Sequence, residues 1–305
     1  LRLVGSEMCI RDRADALTIA KKLATDLSPD LFKPDFNMQE LKFLTRHRNR
    51  LTDTRSKLKT QYIRLLDILF PELAGFIGKT NLHHQYVYDL LTKYPSPAKL
   101  SRAHTNALVK LLHNHGNRLD IAQQLKALAK QSIGLSSPAN AFELVQTISA
   151  IRLYDEQINA IDQEITQIMN SLDEAAIVTS ITGISNRLGS VILAEVNNIN
   201  NFHSPDQLLA FAGLEPSVYQ SGQMSATGKM VKRGSTSFRW ALFQAAEYAS
   251  HWSPTLRQYR QKKLGEGKHY YVVMTHVAKK LVRIIYYLLK HHQYYCLLYT
   301  SDAAD

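Results

Sequence analysis

Cysteine is almost missing from this chain of 305 residues: two are present, Cys9 and Cys296, each close to one end. The body between them therefore offers neither a disulfide framework nor a thiolate metal site. Long apolar runs are also missing. No uninterrupted stretch approaches the roughly 18 residues that span a bilayer, so a soluble, cytoplasmic bacterial protein with no membrane partner is expected. Acidic residues are short relative to basic ones, 26 against 37, leaving a formal charge of +11. That excess favours a polyanionic partner, nucleic acid before a membrane surface. No phosphate-loop or dinucleotide fingerprint is present, and the pairs His83-His84, His113-x-His115 and His291-His292 lack nearby acids in a metal-ligand pattern. The apolar fraction of 45% is ordinary for a globular protein.

Both ends are set aside before any argument about fold. LRLVGSEMCIRDR (1–13) and CLLYTSDAAD (296–305) resemble translated sequencing-adapter DNA fused to an assembled fragment; the alternative is a native disordered tail at each end. On the first reading the native frame is expected to continue upstream.

The body reads as mainly α. A short helix is expected over 14–27, stopped by Ser28-Pro29, and a long one over 37–70, with Leu44, Leu51, Leu58 and Leu65 at seven-residue intervals and Pro71 closing it. The intervening positions His47, Thr54 and Gln61 are polar, which weakens the seam. The strongest periodicity lies between 144 and 172, with Leu144, Ile151, Ile158, Ile165 and Leu172 in one register and Tyr154, Ile161 and Ile168 in the other. Pairing with the 44–65 helix as an antiparallel coiled-coil hairpin and dimerisation between chains both satisfy this pattern. A set of short helices is expected between the two, and a domain boundary near Asp173 separates them from a compact, α-rich region ending in an amphipathic helix at 270–290.

Four elements carry candidate chemistry. The long helix bears Arg46, Arg48, Arg50, Arg55, Lys57 and Lys59, with Lys42 and Arg64 flanking them and Asp53 as the lone opposing charge. Such a helix repels itself unless phosphates neutralise it, although a solvated basic face is the plainer alternative. Ile181–Val196 has a helix-hairpin-helix shape, with Gly183 offering backbone N–H groups to a phosphate, although Ser185 stands where that pattern more often has a second glycine and an ordinary helical connection is the alternative. In KMVKRGSTSFRWAL the Gly234–Ser237 stretch can cap a helix whose start gathers Lys232, Arg233 and Arg239 as a phosphate cradle, with a well-capped basic helix as the alternative; Lys229 adds a further cation that could stabilise a phosphate. Finally, AGLEPSVYQSG passes from an apolar run into a β-like segment and ends at Ser221-Gly222, a tight turn that exposes a hydroxyl. Spacing alone favours a plain hairpin turn there, because a nucleophilic serine needs activation and no base stands nearby in sequence.

The order DRADALTIAKKL, LTRHRNRLTDTRSKLK, LFPEL, ITGIS, FHSPDQLLAFAGLEPSVYQSG and KRGSTSFRWAL resembles the insertion-sequence transposases of the IS-one-ten group, which are RNA-guided recombinases. The resemblance covers about 14–295. It implies a RuvC-like α/β domain with an Asp-Glu-Asp-Asp metal site, a coiled coil, and a transposase domain bearing a nucleophilic serine. Carried over by motif, Ser221 matches that serine, and Asp12 and Asp15 match the last two acids, with Asp12 inside the adapter-like segment. The first Asp and the Glu are expected upstream.

The expected division is therefore a RuvC-like remnant over 14–36, coiled coil and helical insert over 37–172, and transposase domain with a small β-hairpin over 173–295. The implied cofactor is Mg²⁺, and the implied partners are DNA, a structured guide RNA and further copies of the chain in a dimer or tetramer. The implied function is DNA recombination for a mobile element, with little activity from this fragment alone. A non-catalytic helical nucleic-acid-binding protein is the alternative.

Overall fold

The computed structural model describes residues 16–18, 20, 21, 24, 35–112, 117–221, 224–230 and 232–295, with backbone alone between 216 and 229. The expected acids Asp12 and Asp15 and the histidines at 113 and 115 lie outside these residues.

Asp35 starts the first long helix, α1 (Phe36–Leu69). Its carboxylate accepts the N–H groups of Asn37 and Met38 at 2.8 and 3.3 Å, supplying acceptors that a first helical turn lacks. Pro71, with no N–H to donate, follows its last residues. The short helices α2 (Glu72–Ile77), α3 (Gln85–Lys93), α4 (Pro97–Ser101), α5 (Thr105–Leu111) and α6 (Arg118–Lys130) come next. The second long helix is α7 (Pro138–Asn170), capped by Ser137 and entered through proline at its first turn.

Helices α1 and α7 pack along each other within the chain. Arg48 faces Asp162, Arg55 faces Asp155 and Gln61 faces Glu143, so numbers rise on one helix as they fall on the other and the pair is antiparallel. Leu65, Leu144, Ile151, Ile158 and Ile165 are buried. Leu44, Leu51 and Leu58 are half-buried, while His47 and Thr54 are exposed. The seam thus rests on one apolar stripe of α1, as its polar alternate positions require, and α7 supplies most of the buried side chains.

Each end of this pair enters a different core. At one end Tyr62, Leu66 and Leu69 join Leu144, Ile148 and Ile151 and the apolar faces of α3 to α6. Tyr62 is fully buried and donates its hydroxyl to the Leu82 carbonyl at 2.8 Å, which satisfies the one polar side-chain atom it brings inside. At the other end Met38, Leu41, Ile165 and Met169 join a core built by the rest of the chain.

That second part comprises α8 (Asp173–Thr179), α9 (Asn186–Val196), α10 (Pro205–Phe211), an antiparallel pair β1 (Pro216–Ser221) and β2 (Met224–Met230), then α11 (Thr236–Trp252), α12 (Pro254–Gly265) and α13 (Tyr270–His291). Helix α9 packs against both α1 and α11, and α11 packs against α13. The buried face of α11 is Phe238, Ala241, Leu242, Ala245, Ala246 and Ala249; its alanines let neighbouring backbones come close. Among the described residues no helix is long and apolar enough to cross a membrane.

Candidate nucleic-acid interface

The strands β1 and β2 leave the helical core and return to it at one narrow neck. Ser221 is the last residue of β1 and pairs with Met224, with an irregularity in register between Pro216 and Val218. Two glycines make the neck possible. Gly213 (φ +67°) and Gly234 (φ +124°) occupy backbone regions that favour glycine, and a Cβ would lie 2.4 Å from the Arg233 carbonyl oxygen in the first case and 2.2 Å from that of Phe211 in the second. Ser235 N–H then donates to the Phe211 carbonyl at 3.0 Å.

Arg239 closes the same neck. Its Nη1 donates to the carbonyls of Ala212, before β1, and Lys232, after β2, at 3.2 and 3.3 Å. The sequence grouped Arg239 with Lys232 and Arg233 as a phosphate cradle, and the structure gives Arg239 a contact at the neck that this grouping did not include. Helical geometry turns Arg239 back over the first turn of α11 toward the nearest free carbonyls, whereas Lys232 and Arg233 are exposed and Lys229 falls in β2. The expected cap does form: the Ser235 hydroxyl accepts the Phe238 N–H at 3.1 Å.

Glu195 joins the neck to the long basic helix. It is a single acid in the apolar run of α9 and is 2% exposed. Its carboxylate accepts Arg46 in a two-pronged pair at 2.7 and 2.9 Å, accepts the Ser235 hydroxyl at 2.9 Å, and has Lys42 at 3.5 Å. Burial alone pushes such a carboxyl up, but the hydrogen bonds from Arg46 and Ser235 and the two positive charges outweigh it and hold Glu195 below its ordinary value. The expected site omits Glu195. A lone acid among apolar helical residues is the sequence signal that marks it.

The same pairings revise the reading of the basic helix. Arg46 is held by Glu195, Arg48 by Asp162, Arg55 by Asp155, and Arg64 lies 3.8 Å from Glu143. These cations have acids from α7 and α9, so phosphate is not needed to neutralise them. Arg50, Lys57 and Lys59 remain without an ion pair among the described residues, and Arg50 and Lys57 are exposed. Lys59 lies close to His83, whose imidazole is held below its ordinary value by burial and then by that charge.

Gly183 occupies the turn between α8 and α9 at φ +96°, and its Cα side faces the core: a Cβ would stand 2.5 Å from the Ala249 nitrogen. Its glycine is accordingly required by close packing of the turn on α11, a role the helix-hairpin-helix reading did not assign. Ser185 caps α9 by accepting from Leu188 N–H at 3.5 Å, and the other N–H groups of that first turn have no intrahelical acceptors. Among the described residues no group of three His, Cys, Asp or Glu side chains could hold a metal ion. The acids that would hold a Mg²⁺ ion, Asp12 and Asp15, lie outside the described residues.

These features define a helical chain with a basic surface and a glycine-necked hairpin, and two of its stretches match transposase domains of insertion sequences. Residues 175–261 match the family described as Transposase IS116/IS110/IS902, and residues 11–71, which take in Asp12 and Asp15, match a family described as Transposase, the DEDD type named for IS110. The chain is 27% identical over 285 residues to the insertion element IS116 uncharacterized 44.8 kDa protein of Streptomyces clavuligerus, covering 92% of this chain and 71% of that protein. It is 25% identical over 237 residues to the insertion element IS110 uncharacterized 43.6 kDa protein of Streptomyces coelicolor, covering 76% and 58%. A third relative, the transposase for insertion sequence element IS1111A of Coxiella burnetii, is 28% identical over 177 residues, covering 55% and 48%.

Proposed function

We propose that this chain is part of an insertion-sequence transposase that cuts and rejoins DNA, with Ser221 as the nucleophile. The observation that carries the reading is the position of Ser221: it ends β1, beyond a neck fixed by Gly213, Gly234 and Arg239, inside the segment that matches a transposase family. A strand end beyond a pinned neck is placed to reach a DNA backbone. In the proposed step the serine oxygen forms a bond to phosphorus, one bond from phosphorus to a deoxyribose oxygen breaks, and the serine proton goes to the leaving oxygen. Asp15 and Asp12 would be among the carboxylates holding a Mg²⁺ ion, which would supply charge stabilisation to the reaction.

The neck residues act as positioning groups, and Arg50, Lys57, Lys59, Lys232 and Arg233 hold the nucleic-acid backbone. DNA, a structured RNA that selects the sites, and a second copy for synapsis are the proposed partners, in the bacterial cytoplasm. The test is strand joining by the protein that contains this chain against its Ser221→Ala variant. Loss of joining by roughly a thousandfold or more, with DNA affinity unchanged, is the expected result. Unchanged joining removes Ser221 from the chemistry, and salt-sensitive binding with no joining by either protein leaves the alternative of a non-catalytic binder.

A further inference from the structure

A cleft of about 420 Å³ lies between the α8–α9 turn and α11. One wall is the turn itself, with Thr182 and Ser185, followed by Arg187 in the first turn of α9. The other is a single stripe of α11, where Trp240, Gln244, Tyr248 and Trp252 recur every fourth residue. The three rings are 38%, 50% and 62% exposed, although Phe238 and the alanines of the same helix are fully buried. Gly183 brings the turn onto α11 beside Tyr248 and Ala249 and so sets the spacing of the two walls.

Exposed aromatic rings in a row cost solvation and serve recognition more often than stability. The charge around them narrows the occupant. The Arg187 guanidinium lies 5.8 Å from the Trp240 ring centre and makes no hydrogen bond or ion pair among the described residues. Partial burial, and then the positive charge of nearby Arg48, lower its pKa, against the opposing pull of Asp162, which pairs with Arg48. The start of α9, with first-turn N–H groups that lack intrahelical acceptors, belongs to the same wall. Along the helix axis Tyr248 and Trp252 are separated by about 6 Å and Trp240 and Tyr248 by about 12 Å, rises that accommodate one and two steps of an extended single strand. An aliphatic protein segment would use the apolar surface and leave Arg187 and the N–H groups unanswered; a nucleotide uses both.

We infer that this cleft binds unpaired nucleobases, stacked against Trp240, Tyr248 and Trp252, with the adjoining phosphate on Arg187 and the start of α9. The inference rests on the nucleic-acid part of the proposed function and is independent of Ser221. The ligand is a single-stranded segment, from DNA opened during strand exchange or from a structured RNA.

The chain carries two tryptophans, and both line this cleft. Intrinsic tryptophan emission of the whole chain therefore reports the cleft directly. The experiment titrates the chain with labelled single-stranded DNA, single-stranded RNA and duplex DNA of about 12 nucleotides per strand, reading label anisotropy and tryptophan emission together. Quenching that saturates in step with single-strand binding is expected, with duplex giving less than half the effect. Tyr248→Ala and Arg187→Gln are each expected to weaken single-strand binding about tenfold while leaving helical content unchanged.

The tighter of the two single strands identifies the source. Anisotropy that rises with no change in emission places the strand elsewhere and overturns the inference, while the proposed function stands. Equal quenching by duplex overturns the claim for unpaired bases. Binding of none of the three overturns both readings. A concentration-dependent emission shift without nucleic acid, accompanied by a doubled mass, gives the cleft to a second copy and also overturns the inference.

Discussion

The hydroxyl of Ser235 donates to the Glu195 carboxylate at 2.9 Å across two helices 40 residues apart in sequence. The same carboxylate binds Arg46 on the long helix, so one buried acid ties α1, α9 and the hairpin neck together. Glu195→Gln keeps the shape of the side chain but removes its charge and one of its acceptor oxygens. Arg46 can turn to water in that variant, and the expected cost in urea unfolding is about 1–3 kcal/mol.

The pH dependence of that loss has a definite sign. The folded Glu195 carboxyl lies below its ordinary value of 4.5, so the unfolded chain binds the proton more readily. Its contribution is complete above about pH 4.5 and is lost as pH falls through the lower folded value. The stability gap between the parent and Glu195→Gln should therefore be constant near neutrality and shrink in acid, a trend that unfolding curves at several pH values measure.

Arg239 holds two carbonyls that flank the hairpin. Arg239→Ala should cost about 1–2 kcal/mol and speed hydrogen exchange in β1 and β2 more than in α13. An equal change in both places would mean that the arginine serves the whole core and not the neck.

Two glycines give opposite outcomes. Gly183→Ala meets the Ala249 backbone at 2.5 Å in a positive-φ conformation and is expected to destabilise by more than about 2 kcal/mol. Gly75, in helix α2, has nothing within 4 Å of an added Cβ, and Gly75→Ala should be neutral or stabilise by up to about 1 kcal/mol. Thermal melts of the two variants check both directions.

The cations of α1 separate in the same way. Arg50→Ala and Lys57→Ala, at exposed positions without ion pairs among the described residues, should leave stability unchanged and each reduce the salt dependence of DNA binding by about one unit of slope. Arg48→Ala strips Asp162 of its partner and should cost about 1 kcal/mol of stability. Salt slopes equal to the parent's for both Arg50→Ala and Lys57→Ala would remove these cations of α1 from the interface.

Local periodicity made the long helices legible: Leu44 to Leu65 and Leu144 to Ile165 lie on the faces their spacing dictates, and Ser235 caps α11 as its sequence suggests. Partner choice was not local. Nothing near Arg48 or Arg55 in sequence announces Asp162 or Asp155, which lie 114 and 100 residues away, so a helix that looked self-repelling is largely neutralised by acids on α7 and α9. The direction of Arg239 depends on where the chain crosses itself at Gly213 and Gly234. The aromatic stripe of α11 was present in the spacing of Trp240, Tyr248 and Trp252, but its exposure depends on which alanine face the core selects.

The two long helices each serve both cores, and this governs how the molecule can come apart. A helix of 34 residues is about 50 Å long, and α1 places Met38 and Leu41 in one core and Tyr62 and Leu66 in the other. Unfolding at either end frays a rod that the opposite end needs. Cleavage between α7 and α8 would strip Ile165, Met169 and the Arg46 partner of Glu195 from the C-terminal piece at once, leaving an apolar scar beside a stranded charge. Limited proteolysis should accordingly yield no soluble C-terminal fragment beginning near residue 173, and heat should melt both ends in a single transition.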